Sequence, residues 1–164
     1  MLTMATNNII IRKAVEKDYL AVNSLYYETY SLYYKNIPDS YKKTPKDTLP
    51  KGTFLNMIEH DDSLVIVAEQ NGMVVGMLYA IIEKDEGDEW SNPYRRVSIE
   101  EISVLPAFTN QGIGTMLMQK AENWTKEKGI NNLTALIYDF NKNATAFYKK
   151  NDYKPYSIQM KKKL

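Results

Sequence analysis

The chain has 164 residues, enough for one domain that removes roughly two-thirds of its unfolded surface from water. A hydrophobic fraction of 44% and a charged fraction of 25% are those of an ordinary globular protein, and a net charge of +1 gives no reason to expect nucleic acid or an anionic membrane as a partner. There is no cysteine, which excludes disulfides, thiolate metal ligands and a cysteine nucleophile, and a single histidine, His60, excludes a multi-histidine metal site.

In chain order, Asn8 to Lys13 reads as a first strand. Ile9-Ile10-Ile11 is too short for a signal-peptide core and runs straight into Arg12 and Lys13, and no apolar run approaches membrane-spanning length. A cytoplasmic location is therefore expected. Val15 to Lys35 carries a helical stripe, with Val22, Leu25, Tyr26, Thr29, Leu32 and Tyr33 recurring at threes and fours until Pro38 ends it. This helix is rich in tyrosine, and its rings either face the core or line a pocket. Asp39 to Gly52, bordered and interrupted by prolines, reads as a loop.

Thr53 to His60 reads as a short helix, with His60-Asp61-Asp62 as its polar end; a Ser-His-Asp triad would have to use this histidine. Ser63 to Gln70 and Met73 to Ile82 read as strands joined by Asn71-Gly72, a strong hairpin signal. Glu83 to Arg96 is an acid-rich connection, either a solvated loop or an attractor of a cationic substrate. Val97 to Val104 is a strand. Ile113, Leu117, Ala121 and Trp124 mark one face of a helix that Gly129 stops. Leu133 to Tyr138 reads as a strand, Asn141 to Lys149 as a short helix, and Tyr153 to Met160 as a closing strand. No repeat, low-complexity segment or linker interrupts residues 1–164, which are expected to form one mixed α/β domain with helices flanking a sheet.

Between the strand ending at Val104 and the following helix lies Gln111-Gly112-Ile113-Gly114. A glycine turn at a helix N-terminus offers free N–H groups and the positive end of the helix dipole to an anion such as phosphate. By itself it is equally an ordinary loop-to-helix junction. It lacks the third glycine of a dinucleotide fingerprint, and the chain lacks Gly-x-x-x-x-Gly-Lys-Ser/Thr, which weakens a nucleotide-binding reading.

The run from Ile99 to Gly114, followed by a helix, a strand and Asn141-x-x-Ala144-x-x-Phe147-Tyr148, resembles the GCN5-related N-acetyltransferase family. Ile11-Arg12-Lys13-Ala14 is similar to that family's first strand, and Tyr148 to Tyr153 to its Tyr-x-x-x-Gly-Phe ending, without the glycine. The resemblance implies a central, mostly antiparallel sheet with one parallel, splayed pair, flanked by about four helices. It implies acetyl-coenzyme A as co-substrate and no metal. The backbone of Asn110, Gln111, Gly112, Ile113, Gly114 and Thr115 would cradle its pyrophosphate, and the strand end Ile102, Ser103 and Val104 would pair with its pantetheine arm. Those N–H groups could also polarise the thioester carbonyl. Asn141 would contact the arm while capping its helix, and Tyr148 would protonate the leaving sulfur unless it is simply a core aromatic beside Phe147. Thr109 and Asn110 depart from the family's Gln/Arg-x-x-Gly-x-Gly/Ala pattern, so the grip should come from backbone, and Gly112 and Gly114 should be the positions most sensitive to substitution.

An amine acceptor, with a pKa near ~10.4 if lysine-like, must lose a proton before it attacks. Glu100 and Glu101 are the candidate bases. Regular strand alternation would set them on opposite faces, Glu100 with Ile102 and Val104, and Glu101 with Ile99 and Ser103. An acid at Glu100 resembles the diamine acetyltransferases of the family and is the preferred base, with Glu101 next. The expected activity is acetyl transfer to a primary amine of a small molecule, polyamine-like in view of the acidic connection, or of a peptide. A non-catalytic acyl-coenzyme A-binding module is the alternative. An exposed sheet edge or the tyrosine-rich helix could serve a homodimer.

Overall fold

The structure is a computed structural model and describes residues 8–164. Five strands form one sheet in sequence order: β1 (Ile9–Lys13), β2 (Ser63–Gln70), β3 (Met73–Asp85), β4 (Tyr94–Val104) and β5 (Leu133–Ala135). The first four are antiparallel, and β5 runs parallel to β4. Four α-helices accompany them: α1 (Tyr19–Asn36), α2 (Lys51–Glu59), α3 (Ile113–Glu127) and α4 (Lys142–Lys150).

Strand periodicity divides the core in two. Val65, Val67 and Met77 pack on one face with Val22, Leu25 and Phe54 of α1 and α2. Leu64, Ile66, Leu78, Ala80, Val97 and Ile99 pack on the other with Ile113, Leu117 and Ala121 of α3 and with Tyr148 of α4. Burying a side chain such as Phe54 completely contributes about 1.5–3 kcal/mol. Asn71 and Gly72 turn the β2–β3 hairpin with φ of 51° and 80°, the pair of left-handed residues a type I′ turn requires. Arg12 fastens β1 to the approach to α1 by bonds of 2.7 and 2.9 Å to Asp18, and to β2 by a 2.8 Å bond to Glu69.

Several expected boundaries move. The first helix starts at Tyr19, because Glu16–Asp18 forms a separate 3-10 turn in which the Asp18 carboxylate accepts from Val15 N–H. The second helix starts directly after Pro50, whose missing N–H costs nothing in a first turn. Strands β3 and β4 extend to Asp85 and Tyr94, so the acid-rich connection shrinks to residues 86–93. There Asp88 accepts from the N–H groups of Trp90 and Ser91, and Glu83 pairs with Arg96 at 2.7 Å, so these acids are spent on the hairpin.

The strand expected over Leu133 to Tyr138 ends at Ala135. Its ladder with β4 stops at Ile99↔Ala135, one residue before a bulge in β4, and Tyr138 and Phe140 are drawn instead to the tyrosines of α1. The closing strand expected over Tyr153 to Met160 does not form. Asp152 takes a left-handed φ of 64°, Tyr153 folds back against Tyr148, and Pro155 has no N–H to give a ladder.

Candidate active site

The bulge shapes the site. Opposite β3, Ala80 faces Ile99 and Tyr79 faces Glu101, which leaves Glu100 as the extra residue of β4. Regular alternation is thereby broken. Ile99 stays on the α3 side, whereas Glu101 crosses to the α1 side, where it accepts a 2.9 Å hydrogen bond from Thr29 Oγ1. The expectation that Glu101 shares a face with Ile99 is therefore corrected. The Glu100 carboxylate is exposed, yet both charges bear on the α1 side, each helping to raise the phenols of Tyr26 and Tyr30.

Glu101 is only 7% exposed, and burial pushes its carboxyl up to about 8 against the opposing pull of the Thr29 hydroxyl. Thr29 sits three residues after Tyr26 and four before Tyr33, on one stripe of α1. Its role was missed from sequence; the available signal was a hydroxyl inside an otherwise apolar stripe.

On the other side of the bulge, β4 continues to Val104 while β5 has ended, so Ile102, Ser103 and Val104 lie beyond the parallel ladder. Backbone groups along that edge can receive an extended ligand as a short extra strand. The chain then passes Pro106–Phe108 and turns into α3 with Asn110 at φ 62° and Gly112 at φ 82°. Gly112 is the N-cap, and no side chain caps it. The first N–H groups of α3, on Ile113, Gly114 and Thr115, thus remain available to an anion. A Cβ on Gly112 would meet nothing within 4 Å, so backbone conformation rather than crowding demands glycine there. Gly114 differs: its Cβ would lie 2.9 Å from the Phe147 ring, so this glycine lets α4 pack against α3.

That contact sets the residue beside Phe147. Tyr148 is buried, with its ring edge-on to Phe147 at 5.4 Å and to Tyr153 at 5.1 Å. Burial raises its phenol above the usual range, with smaller contributions from Tyr153, Glu101 and Tyr33. Asn141 caps α4, its Oδ1 accepting from Ala144 N–H at 3.0 Å, which leaves its amide NH2 for a ligand. Glu101 adds to the raised phenol of Tyr148, and β4 leads from Glu101 along its open edge toward the turn into α3, so these groups are near one another. The acidic hairpin is not: its end stands roughly 20 Å from Glu101 along β4, at about 3.3 Å per residue. His60 ends α2 as an exposed residue accepting from Asp62 N–H, in keeping with a polar helix end.

Above Glu101, rings from α1, from the loop after it and from the segment after β5 pack together. Tyr33 lies 5.1 Å from Tyr41, 5.4 Å from Tyr138 and 6.0 Å from Phe140, and the hydroxyls of Tyr41 and Tyr138 are 3.0 Å apart.

Comparison with known proteins places this geometry. Residues 23–153 match the model of the acetyltransferase (GNAT) family. A thialysine N-epsilon-acetyltransferase from Mus musculus is 35% identical over 81 residues, which are 49% of this chain and 44% of that protein, so the match spans less than half the relative's length. Among solved structures, a tetramutant of the BH1408 protein from Bacillus halodurans superposes with a TM-score of 0.89 at 20% identity, covering 94% of this chain and 99% of that one. The PaiA N-acetyltransferase of Thermoplasma acidophilum, solved in complex with coenzyme A, has a TM-score of 0.72 at 23% identity, with 88% of each chain covered. At these identities the two structures speak for the fold.

Proposed function

The chain belongs to the acetyltransferase (GNAT) family, and we propose that it transfers an acetyl group from acetyl-coenzyme A to a primary amine by direct attack in a ternary complex. One observation carries this reading. A buried carboxyl with a raised proton affinity, Glu101, lies on the strand whose open edge leads to an uncapped helix N-terminus.

The residues present suit the co-substrate. The N–H groups of Asn110 to Thr115 would hold its pyrophosphate, with the side chains of Gln111 and Thr115 at the rim. The β4 edge at Ile102 to Val104, with the Asn141 amide, would hold its amide-bearing arm. When bound, it supplies a thioester carbonyl for the amine to attack.

The chain's own groups manage two protons. The ammonium of the acceptor gives one to Glu101 through a water, and its nitrogen then attacks the carbonyl carbon. The C–S bond breaks, the sulfur takes a proton from the Tyr148 hydroxyl, and the second proton that the nitrogen sheds as the amide forms passes back to the Tyr148 oxygen. Each group suits its task. Tyr148 stays a phenol because burial disfavours phenolate. Glu101, at about 8, ionises when a cationic acceptor arrives beside it. These properties support Glu101 rather than the exposed Glu100 as the base. The acceptor is a small cationic amine, and a relative named for acetylating the Nε of thialysine supports an alkylamine of that kind.

Calorimetry with acetyl-coenzyme A, followed by mass analysis of an amine panel, tests the proposal. The expected result is tight binding and acetylated amine; binding with no acetylated product on any amine would leave a non-catalytic binder. Gly112→Val checks the cradle. A β-branched residue at φ 82° is strained by about 1–3 kcal/mol, so the turn that presents the free N–H groups is distorted. Kd for acetyl-coenzyme A should rise at least ~10-fold, the 1.4 kcal/mol step of one decade. An unchanged Kd would remove this turn from the site.

A further inference from the structure

The aromatic cluster over Glu101 is half-open to solvent. Tyr30, Tyr33, Tyr41, Tyr138 and Phe140 are exposed or partly buried, and three separate segments converge to build the group. Tyr30 and Tyr33 come from α1, Tyr41 from the loop after it, and Tyr138 and Phe140 from the residues after β5. Tyr138 and Phe140 stack at 13°, whereas Tyr33 meets them edge-on at 69° and 78°, so the rings present faces in more than one direction to a guest.

Two carboxylates lie beside it. Glu101 is joined to the same helix through Thr29, and Glu100 stands exposed at the bulge next to it. Among the described residues, the cations that stack on rings are Arg96 on Tyr94 and Lys128 on Trp124, both outside the cluster. The cluster thus has electron-rich faces and adjacent negative charge, and no side-chain cation among the described residues stacks on it. Hydroxyls that burial keeps protonated add neutral donors and acceptors at its rim.

Resting on the acetyltransferase reading, we propose that this cluster is an acceptor subsite for a second positive charge, so that the preferred substrates are linear alkyl diamines and polyamines. One nitrogen yields its proton to Glu101 and reacts. The other stays protonated against the rings and Glu100, held by cation–π attraction and by a carboxylate. A monoamine of equal length fills only the reacting end. An ω-amino acid brings a carboxylate to the same rings and is repelled by Glu100.

The acceptors themselves provide the test. With the wild-type chain and acetyl-coenzyme A, kcat/KM should favour a linear diamine over the monoamine of equal length by about 10-fold or more, the scale of a partly desolvated cation–π contact. The ω-amino acid should be the poorest of the three. Tyr33→Leu should raise KM for the diamine about 10-fold more than KM for the monoamine. Tyr41→Leu, at the edge of the cluster, serves if loss of the central ring disturbs folding. Equal kcat/KM for diamine and monoamine, or the same loss on both in the variants, overturns the subsite while leaving the acetyltransferase intact. Binding of acetyl-coenzyme A with no amine acetylated overturns both.

Discussion

Replacing Glu101 with glutamine is expected to lower kcat by about 10²–10⁴-fold, the range for loss of a positioned general base, while making the protein more stable in alkali. The two effects share one cause. Burial raises the Glu101 carboxyl from 4.5 to about 8, so between those values the native state keeps a proton that the unfolded chain has lost. Stability therefore falls as pH rises through this window, and levels off above about 8. Glutamine cannot ionise and still accepts from the Thr29 hydroxyl, so it avoids the penalty. The variant should match the wild type in Tm near pH 4, where the carboxyl is protonated in both states. Above pH 8 it should melt higher, by an amount on the order of a few kcal/mol. The wild-type kcat/KM should rise through about pH 8 as Glu101 ionises in the free enzyme, and the variant should lose that limb. Thermal melts and kcat/KM profiles from pH 4 to 9 measure both. A variant that is slower yet no more stable at high pH would mean that Glu101 is not buried in its charged form.

Tyr148→Phe is expected to reduce kcat by about 10²-fold, the lower end for a general acid, because a thiolate is already a fair leaving group. The ring and its edge-on contacts with Phe147 and Tyr153 survive, so Tm should move by less than about 1 kcal/mol in equivalent stability. Acetyl-coenzyme A should bind as before, since the hydroxyl is assigned to the departing sulfur and not to the cradle. Stopped assays of coenzyme A release, beside calorimetry of binding, separate these quantities. An unchanged kcat would return Tyr148 to the core as a packing residue.

Much of the fold was legible because its signals are local. Asn71-Gly72 demands left-handed φ at both positions and found it, and the α3 stripe of Ile113, Leu117 and Ala121 packs as its spacing predicts. The parallel β4–β5 pair stands as the family resemblance implied, and the glycine turn and the Asn141 cap stand where their residues predicted. What escaped depends on contacts far apart in sequence. The bulge at Glu100 is a mismatch between two strands, invisible in either alone, and it reverses the geometry expected of Glu101. Thr29 and Glu101 are 72 residues apart, and Tyr41 and Tyr138 are 97 apart, so no window of sequence shows them together. The closing strand failed for a simpler reason. The alternation of Tyr156, Ile158 and Met160 looks strand-like, but all three are exposed and Pro155 interrupts the donors before them. The acid-rich hairpin likewise drew attention by composition, and its end stands away from Glu101 along β4.

The central claim is a direct transfer from acetyl-coenzyme A to an amine, with Glu101 receiving the amine proton. Initial rates of coenzyme A release, measured at several fixed concentrations of a linear diamine at pH 8, test it most directly. The account predicts intersecting reciprocal plots, one acetylated amine for each coenzyme A released, and near-complete loss of the amine-dependent rate in Glu101→Gln. Coenzyme A release that ignores the amine, or a Glu101→Gln variant as fast as the wild type, would contradict it.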